Sequence, residues 1–374
     1  MNILVSSPVF APSVGGAEIV TEILARAFAD AAHEVCVITR TRCDQPDAYP
    51  FRVVRGSSPR RLFREVARTD IFVHSGLSLY AVWPLLFLHR PWVVISHIWL
   101  GAGLRARIKR RLIRWSWPVC VSSALAQDFC CRAVVIPNPY RAEIFRPIAE
   151  VPRDRNFVFV GRLIPDKGAD VALEALAILR RRSIHASLTV IGSGPSEHEL
   201  RTLTHDLDIG EQVTFTGPLP PDAVARELNR HQVLIVPSRW QEPFGVVALE
   251  GIACGCVVLG SSSGGLKEAI GPCGCTVPNG DAKALAQEME KFVTAPDTLQ
   301  KYREPARAHL EKHQPPIVAA AYLALFTQAS ASRAVETHPR VSRWSCTEGS
   351  AEAHSKHPGR SQQVECTAQR CAWP

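Results

Sequence analysis

Residues 233–261 read "VLIVPSRWQEPFGVVALEGIACGCVVLGS". The runs Val233-Leu234-Ile235-Val236 and Val257-Val258-Leu259 are apolar without polar alternation, as in strands of a sheet covered on both faces. An apolar helical stretch lies between them, and strand, helix, strand in that order is one unit of a parallel sheet. Two acids interrupt it. Glu242 and Glu250 stand eight positions apart, separated by Pro243-Phe244-Gly245 and by Val246-Val247-Ala248-Leu249. A carboxylate in an apolar helix pays a desolvation penalty of several kcal/mol unless something holds it.

The same rhythm extends in both directions. Strands are predicted over 2–7, 34–40, 70–75, 91–97, 118–123 and 133–138, and again over 157–162, 187–192, 212–217, 232–238, 256–261 and 274–278. Helical patterns such as "DVALEALAILRRR" (170–182) fill the gaps. Each half is therefore expected to be a Rossmann-like, doubly wound parallel sheet, the two facing a cleft between the carboxyl ends of their strands. The proline-rich, charged stretch "NPYRAEIFRPIAEVPRDRN" reads as the linker, with the first domain over 1–147 and the second over 148–314. "PPIVAAAYLALFTQA" (315–329) is an apolar helix that Pro315-Pro316 would start, and it must bury itself on a domain. From 331 to 374 periodicity stops, and a disordered tail is expected.

Composition bounds the function. With 374 residues, 46% hydrophobic and 21% charged, the chain can bury a core in each of two domains. No apolar run of about 18 residues is present to span a bilayer. Met1-Asn2-Ile3-Leu4-Val5 reads directly as a strand, so no export leader is expected. The twelve cysteines lack zinc-finger spacing, and reduced cytosolic thiols are expected. The net charge of +8 is concentrated in the first half. "LRARIKRRLIRWSW" (104–117) has six basic residues and no acid, and 52–68 holds Arg52, Arg55, Arg60, Arg61, Arg64 and Arg68 against Glu65. Such patches suit a phospholipid surface, a phosphorylated acceptor or nucleic acid, or they are merely solvated helix faces. Leu104, Ile108, Leu112 and Trp115 recur at the helical spacing of an interfacial helix, although that stripe could equally pack on its own sheet.

Strand-end loops carry the candidate chemistry. Gly15-Gly16 precede a helix, where a backbone can approach an anion; a plain turn reads the same way. Arg162 and Lys167 leave a strand end ahead of a helix, which suits a diphosphate or is ordinary surface charge. Gly192-x-Gly194 is a poor dinucleotide fingerprint, because Pro195 follows and the third glycine is missing. Ser261-Ser262-Ser263-Gly264-Gly265 could present amides to a phosphate or be a flexible turn. His97 ends a buried strand on the cleft side, with His74 and His89 as competitors.

In combination, "VFVGRLIPDKG", "VIGSGP", "VTFTGPL", "VLIVPSRWQEPFGVVALEGIACG" and "SSSGGLKEAIG" resemble the nucleotide-sugar domain of retaining glycosyltransferases of the GT-B fold, family four, over roughly 157–290. "GGAE" and "ISHIW" look like that family's N-terminal domain. The resemblance implies a nucleoside diphosphate sugar as substrate, no metal and no other cofactor. It implies that Gly161, Arg162, Lys167, Gly192 and Gly194 meet the donor, with Arg162 and Lys167 on the diphosphate and Gly15 and Gly16 closing over it. Glu250 would hold the ribose hydroxyls. Glu242 would face the sugar beside the amides of Phe244, Gly245 and Val246, and His97 would lie near the transferred sugar. Two vicinal hydroxyls offering two donors to one carboxylate would explain why Glu250 is tolerated where it stands.

The expected acceptor is a saccharide, lipid-linked or other hydroxyl. The expected location is the cytoplasm, with peripheral contact to anionic membrane at its inner face and no nucleic-acid partner. Relatives pass the last helix back to the first domain, which places 315–330 there. The chain departs from the family at the linker, where Asn138-Pro139-Tyr140-Arg141 stands in place of asparagine-glycine-valine-aspartate. An epimerase or hydrolase on the same scaffold, or a non-catalytic nucleotide-sugar-binding subunit, are the alternatives.

Overall fold

The computed structural model describes residues 1–335 apart from Val14, Gln45, Ser57, Cys130 and Arg132. Of the tail expected over 331–374, residues 331–335 instead continue the last helix, and the rest, from 336 onward, lies outside the described residues. Strands β1 (Asn2–Ser7), β2 (Glu34–Thr39), β3 (Arg52–Arg55), β4 (Ile71–Ser75), β5 (Trp92–Ser96), β6 (Trp117–Cys120) and β7 (Val134–Val135) form the first sheet, in the order β3-β2-β1-β4-β5-β6-β7. Strands β8 (Arg155–Val160), β9 (Leu188–Ile191), β10 (Val213–Gly217), β11 (His231–Val236), β12 (Val257–Ser261) and β13 (Gly274–Val277) form the second, in the order β10-β9-β8-β11-β12-β13. Every pairing is parallel, with Val5 opposite Val37 and Val73, and Leu234 opposite Val258 and Val158. Parallel strands sit between helical layers, which is why their centres are continuous apolar runs.

Each order reverses once, between β1 and β4 and between β8 and β11, and ligands of doubly wound sheets bind at such switch points. Strand β3 was not anticipated from sequence. It is an edge strand reading Arg-Val-Val-Arg, and its arginines belong to the run that reads as a charge cluster. Charge on an edge strand discourages pairing with other chains.

The helix expected near the C-terminus runs Pro315–Val335, past position 330. It packs on the helix Gly16–Asp30 of the first domain, where the Phe28 ring lies 6.3 Å from Tyr322 and 5.5 Å from Phe326. Both partners of Phe28 are fully buried. Replacing Phe326 with Ala should therefore destabilise the protein by about 3–5 kcal/mol, the cost of a large core cavity, measured as a lower denaturant midpoint with an unchanged slope. A midpoint within error of the native one would show that this helix adds nothing to the fold.

Among the described residues, no helix is long and apolar enough to cross a membrane.

Candidate active site

Two loops leave the second domain's switch point. The one after β8 carries Gly161, Arg162 and Lys167, and the one after β11 carries Ser238 to Gly245. Their backbones are fastened together, since the amides of Arg239 and Trp240 both donate to Asp166 O, at 2.9 and 3.2 Å. That seam brings Lys167 and Glu242 together. Lys167 Nζ stands 2.6 Å from Glu242 Oε1, and Ser238 Oγ donates to the same oxygen at 2.8 Å. Glu242 is 8% exposed, so the ammonium answers the desolvation that the sequence alone leaves unexplained. Arg162, five positions before Lys167 on the same loop, is exposed and has no side-chain partner among the described residues. Two cations on one loop, one of them unpartnered, are chemistry that can hold a diphosphate.

Glu242 is also held through its backbone. Its carbonyl accepts from the Gly265 amide at 2.7 Å and it bridges to Gly264. The serine–glycine turn is therefore committed to protein contacts. Ser262 N donates to Val277 O, Ser263 N to Asn279 Oδ1, and Ser261 Oγ to Ser238 O.

Gly245 has φ +99°, which disfavours any other residue, and a Cβ there would lie 2.6 Å from Leu266 Cδ1. It opens the helix Val246–Ala253. Buried Phe244 packs its ring 5.7 Å from His313, while the amides of Phe244, Gly245 and Val246 donate to no acceptor among the described residues.

Glu250 is 9% exposed in that helix and has no hydrogen-bond or ion-pair partner among the described residues. Burial pushes its carboxyl up to about 7, against a weaker opposing pull from Arg141. Arg141 is the linker residue at the departure from the family pattern, and its Nε is buried without a partner. The linker is otherwise tied to the start of the last helix. His313 Nδ1 donates to Asn138 O at 2.9 Å, and Gln314 Nε2 donates to the Tyr140 hydroxyl at 2.9 Å.

Gly192 and Gly194 have a structural reason to be glycine. A Cβ would lie 1.9 Å from Gly161 O in the first case and 2.3 Å from Leu163 O in the second, so bare Cα atoms let the β8 and β9 loops touch. Gly16 begins the helix Gly16–Asp30 with open space around it, and Gly15 precedes it in extended backbone.

On the first domain, His97 lies at the end of β5, away from Lys167 and Glu242 as far as direct bonds go. Its Nε2 is 3.1 Å from Ser75 Oγ, which is 2.6 Å from Thr21 Oγ1, which donates to Ala17 O at 2.8 Å. Because a carbonyl can only accept, the directions run back along the chain: Ser75 donates to Thr21, so His97 donates through Nε2–H. Nδ1 is then a bare acceptor, buried without a partner, and burial pulls the ring down to about 4, so it is neutral. His74 is a core residue, with its ring 4.3 Å from Phe72 and 5.5 Å from Trp92.

The two domains meet beside Glu242. Trp99 Nε1 donates to Gln241 O at 2.7 Å and Ser122 Oγ to Pro243 O at 2.7 Å. The Glu268 carboxylate accepts from the amides of Ser123 and Ala124 at 2.9 and 3.0 Å. Sequence reading passed over Ser75, Thr21, Ser122 and Glu268. Trp99 and Glu268 lay inside quoted motifs, as the end of "ISHIW" and within "SSSGGLKEAIG", but neither was singled out.

Residues 141–309 match the family described as glycosyl transferases group 1. The match covers most of the second domain and less than half of the chain. A D-inositol 3-phosphate glycosyltransferase of Gordonia bronchialis is 37% identical over 165 residues, 41% of this chain and 36% of that protein. A GDP-mannose-dependent alpha-(1-6)-phosphatidylinositol monomannoside mannosyltransferase of Mycobacterium tuberculosis is 36% identical over 140 residues, 36% of each chain. The chain thus spans little more than a third of the length of the curated relatives it matches. Over 87% of its length it superposes on 99% of Anabaena HepE, crystallised with UDP and glucose, at TM-score 0.74 and 17% identity. A sucrose-phosphate synthase from Thermosynechococcus elongatus gives TM-score 0.73 at 22% identity, covering 88% of this chain and 99% of that one. The fold of this chain is therefore GT-B.

Proposed function

We propose that the chain is a retaining glycosyltransferase that moves a sugar from a nucleoside diphosphate sugar to a saccharide, lipid-linked or other hydroxyl acceptor. The Lys167–Glu242 pair at the second switch point, with unpartnered Arg162 on the same loop as Lys167, is the observation that carries this reading. In it, Arg162 and Lys167 take the diphosphate and stabilise it as it departs. Glu242, released from part of its ion pair, faces the sugar as positive charge grows there. The amides of Phe244, Gly245 and Val246 are open to the same anion. Glu250 accepts from the ribose hydroxyls, and neutral His97 offers a bare Nδ1 to a sugar hydroxyl. Gly15 and Gly16 let the first domain's loop approach the phosphates, and no metal is needed. Thermal-shift screening and calorimetry with UDP-, GDP- and ADP-sugars test the donor class. At 100 times its dissociation constant a ligand adds about 2.7 kcal/mol. Product analysis with and without acceptor separates transfer from epimerisation or hydrolysis. A protein that binds none of these donors refutes the reading.

The acceptor side favours an anionic surface at the cytoplasmic face of a membrane. The helix Leu104–Ile113 buries Ala106 and Ile113 against its sheet, while Leu104 and Ile108 are 71% and 41% exposed and Trp115, just beyond it, is 72% exposed. Leu104, Ile108 and Trp115 therefore face outward among Arg105, Arg107 and Arg111, while Leu112 of the same stripe packs against the core. Leu86 and Phe87, 73% and 67% exposed, sit in the preceding crossover, and both crossovers cover the face that also holds the arginine-rich helix Pro59–Arg68. Curated relatives named for inositol phosphate and phosphatidylinositol chemistry point the same way. Flotation should recover the protein with vesicles containing anionic lipid, and recovery should fall with salt and with Trp115→Ala. Equal recovery on neutral vesicles, unchanged by salt, rules this surface out.

A further inference from the structure

Glu242 sits between two residues whose carbonyls are both taken by the first domain. Trp99 Nε1 holds Gln241 O and Ser122 Oγ holds Pro243 O, each at 2.7 Å, across 142 and 121 residues of chain. The Ser122 contact is built into its surroundings. Ser122 is fully buried and is also the N-cap of the helix Ser123–Gln127, accepting from Leu125 N at 3.1 Å. Gly265 makes room for it, because a Cβ there would lie 2.6 Å from Ser122 Oγ and 2.2 Å from Pro243 O. Glu268, one turn further on, binds the next two amides of the first domain. The carbonyl of Glu242 itself goes to Gly265 N at 2.7 Å, within the second domain.

Three successive carbonyls, 241, 242 and 243, are thus fixed, and among the described residues the outer two are fixed only from the other domain. A backbone pinned on both sides of one residue leaves its side chain little freedom to leave the direction it takes. From this we propose that Trp99 and Ser122 are positioning residues that couple domain closure to the placement of Glu242, with Glu268 as the latch that holds the closed pose. When the domains part, Gln241 O and Pro243 O lose their donors together, and the acid is no longer registered against Lys167. The donor is then turned over only in the closed state, where water is excluded. This rests on the glycosyltransferase reading for its effect on turnover, but not for the clasp itself.

Hydrogen exchange by mass spectrometry on the full chain tests the clasp without any assay of activity. In Trp99→Phe, which keeps an aromatic ring and removes the N–H, and in Ser122→Ala, the peptide over 239–247, whose Arg239 and Trp240 amides are bonded to Asp166 O, should exchange at those amides about three- to tenfold faster, the weight of one hydrogen bond. Strands β8, β9 and β11 should keep their protection. Glu268→Gln should move the same peptides in the same direction by less. Unchanged exchange in 239–247, or a rise spread evenly over the second sheet, overturns the proposal. Turnover supplies the second arm: Trp99→Phe should lower kcat about tenfold while nucleoside diphosphate affinity stays within twofold. A native kcat with loosened 239–247 peptides also overturns the coupling. If the native protein transfers no sugar from any donor, the functional reading fails while the exchange result still decides the clasp.

Discussion

Replacing Glu242 with Gln lowers turnover by on the order of a hundredfold, the usual weight of one preorganised group aimed at developing charge, and leaves the affinity for a bare nucleoside diphosphate intact or slightly higher. The asymmetry follows from the Lys167 contact. In the free protein, Lys167 Nζ is 2.6 Å from Glu242 Oε1, so the carboxylate competes with the diphosphate for the ammonium. Neutralising it frees Lys167 for the nucleotide and removes the group that faces the sugar, whose contact matters chiefly as charge grows there. Calorimetry with the nucleoside diphosphate, paired with initial rates of transfer, separates the two effects. Unchanged kcat in folded protein would make the spacing of the two acids coincidental and would promote the reading as a non-catalytic subunit.

Glu250 should fail differently. Glu250→Gln is expected to weaken the bare nucleotide and the nucleotide sugar alike, by about 1.5–3 kcal/mol for a charged hydrogen-bonded contact. A pH dependence accompanies it. Burial raises the Glu250 carboxyl to about 7 from an ordinary 4.5, so the ionised form that accepts two hydroxyls predominates only above that value. Affinity for a nucleotide sugar, whose diphosphate does not titrate in this range, should drop by up to about tenfold per unit as pH falls below 7. Glu250→Gln should flatten that profile.

The stability of the free protein moves the opposite way. Between 4.5 and about 7 the folded state keeps a proton that the unfolded chain has released, so this group makes the protein less stable as pH rises through that window. The loss amounts to roughly 3 kcal/mol and is absent in Glu250→Gln. A flat affinity profile in the native protein would place the ribose elsewhere.

Much of the scaffold was legible because parallel strands buried on both faces must be apolar throughout. Runs such as "VLIVPS" and "FVFVGR" announce themselves without any knowledge of their neighbours. Strand β3 escaped for the converse reason: at a sheet edge, Arg52 and Arg55 are allowed, Arg52 pairing with Glu65 and Arg55 with Asp47, and a four-residue strand flanked by charge has no periodic signature. The candidate loops were legible from glycines and charges at strand ends, although Gly192 and Gly194 also serve the contact between loops.

The outward direction of Leu104, Ile108 and Trp115 was not legible, since a helical stripe has the same spacing whether it faces a sheet or solvent. Only the burial of Ala106 and Ile113 chose between them.

The sequence by itself determined the class of fold, the two halves and the acids at 242 and 250, because these depend on local periodicity and on residue types within a few positions of one another. Tertiary structure alone decided what Glu242 and His97 touch. Lys167 reaches Glu242 from 75 residues away, the Thr21–Ser75 relay sets the His97 tautomer across 54 and 22 residues, and Trp99 and Ser122 hold the acid's loop from the other domain. Hydrogen bonds and ion pairs act over about 3 Å in space and are indifferent to separation along the chain, so no pattern of neighbours encodes them.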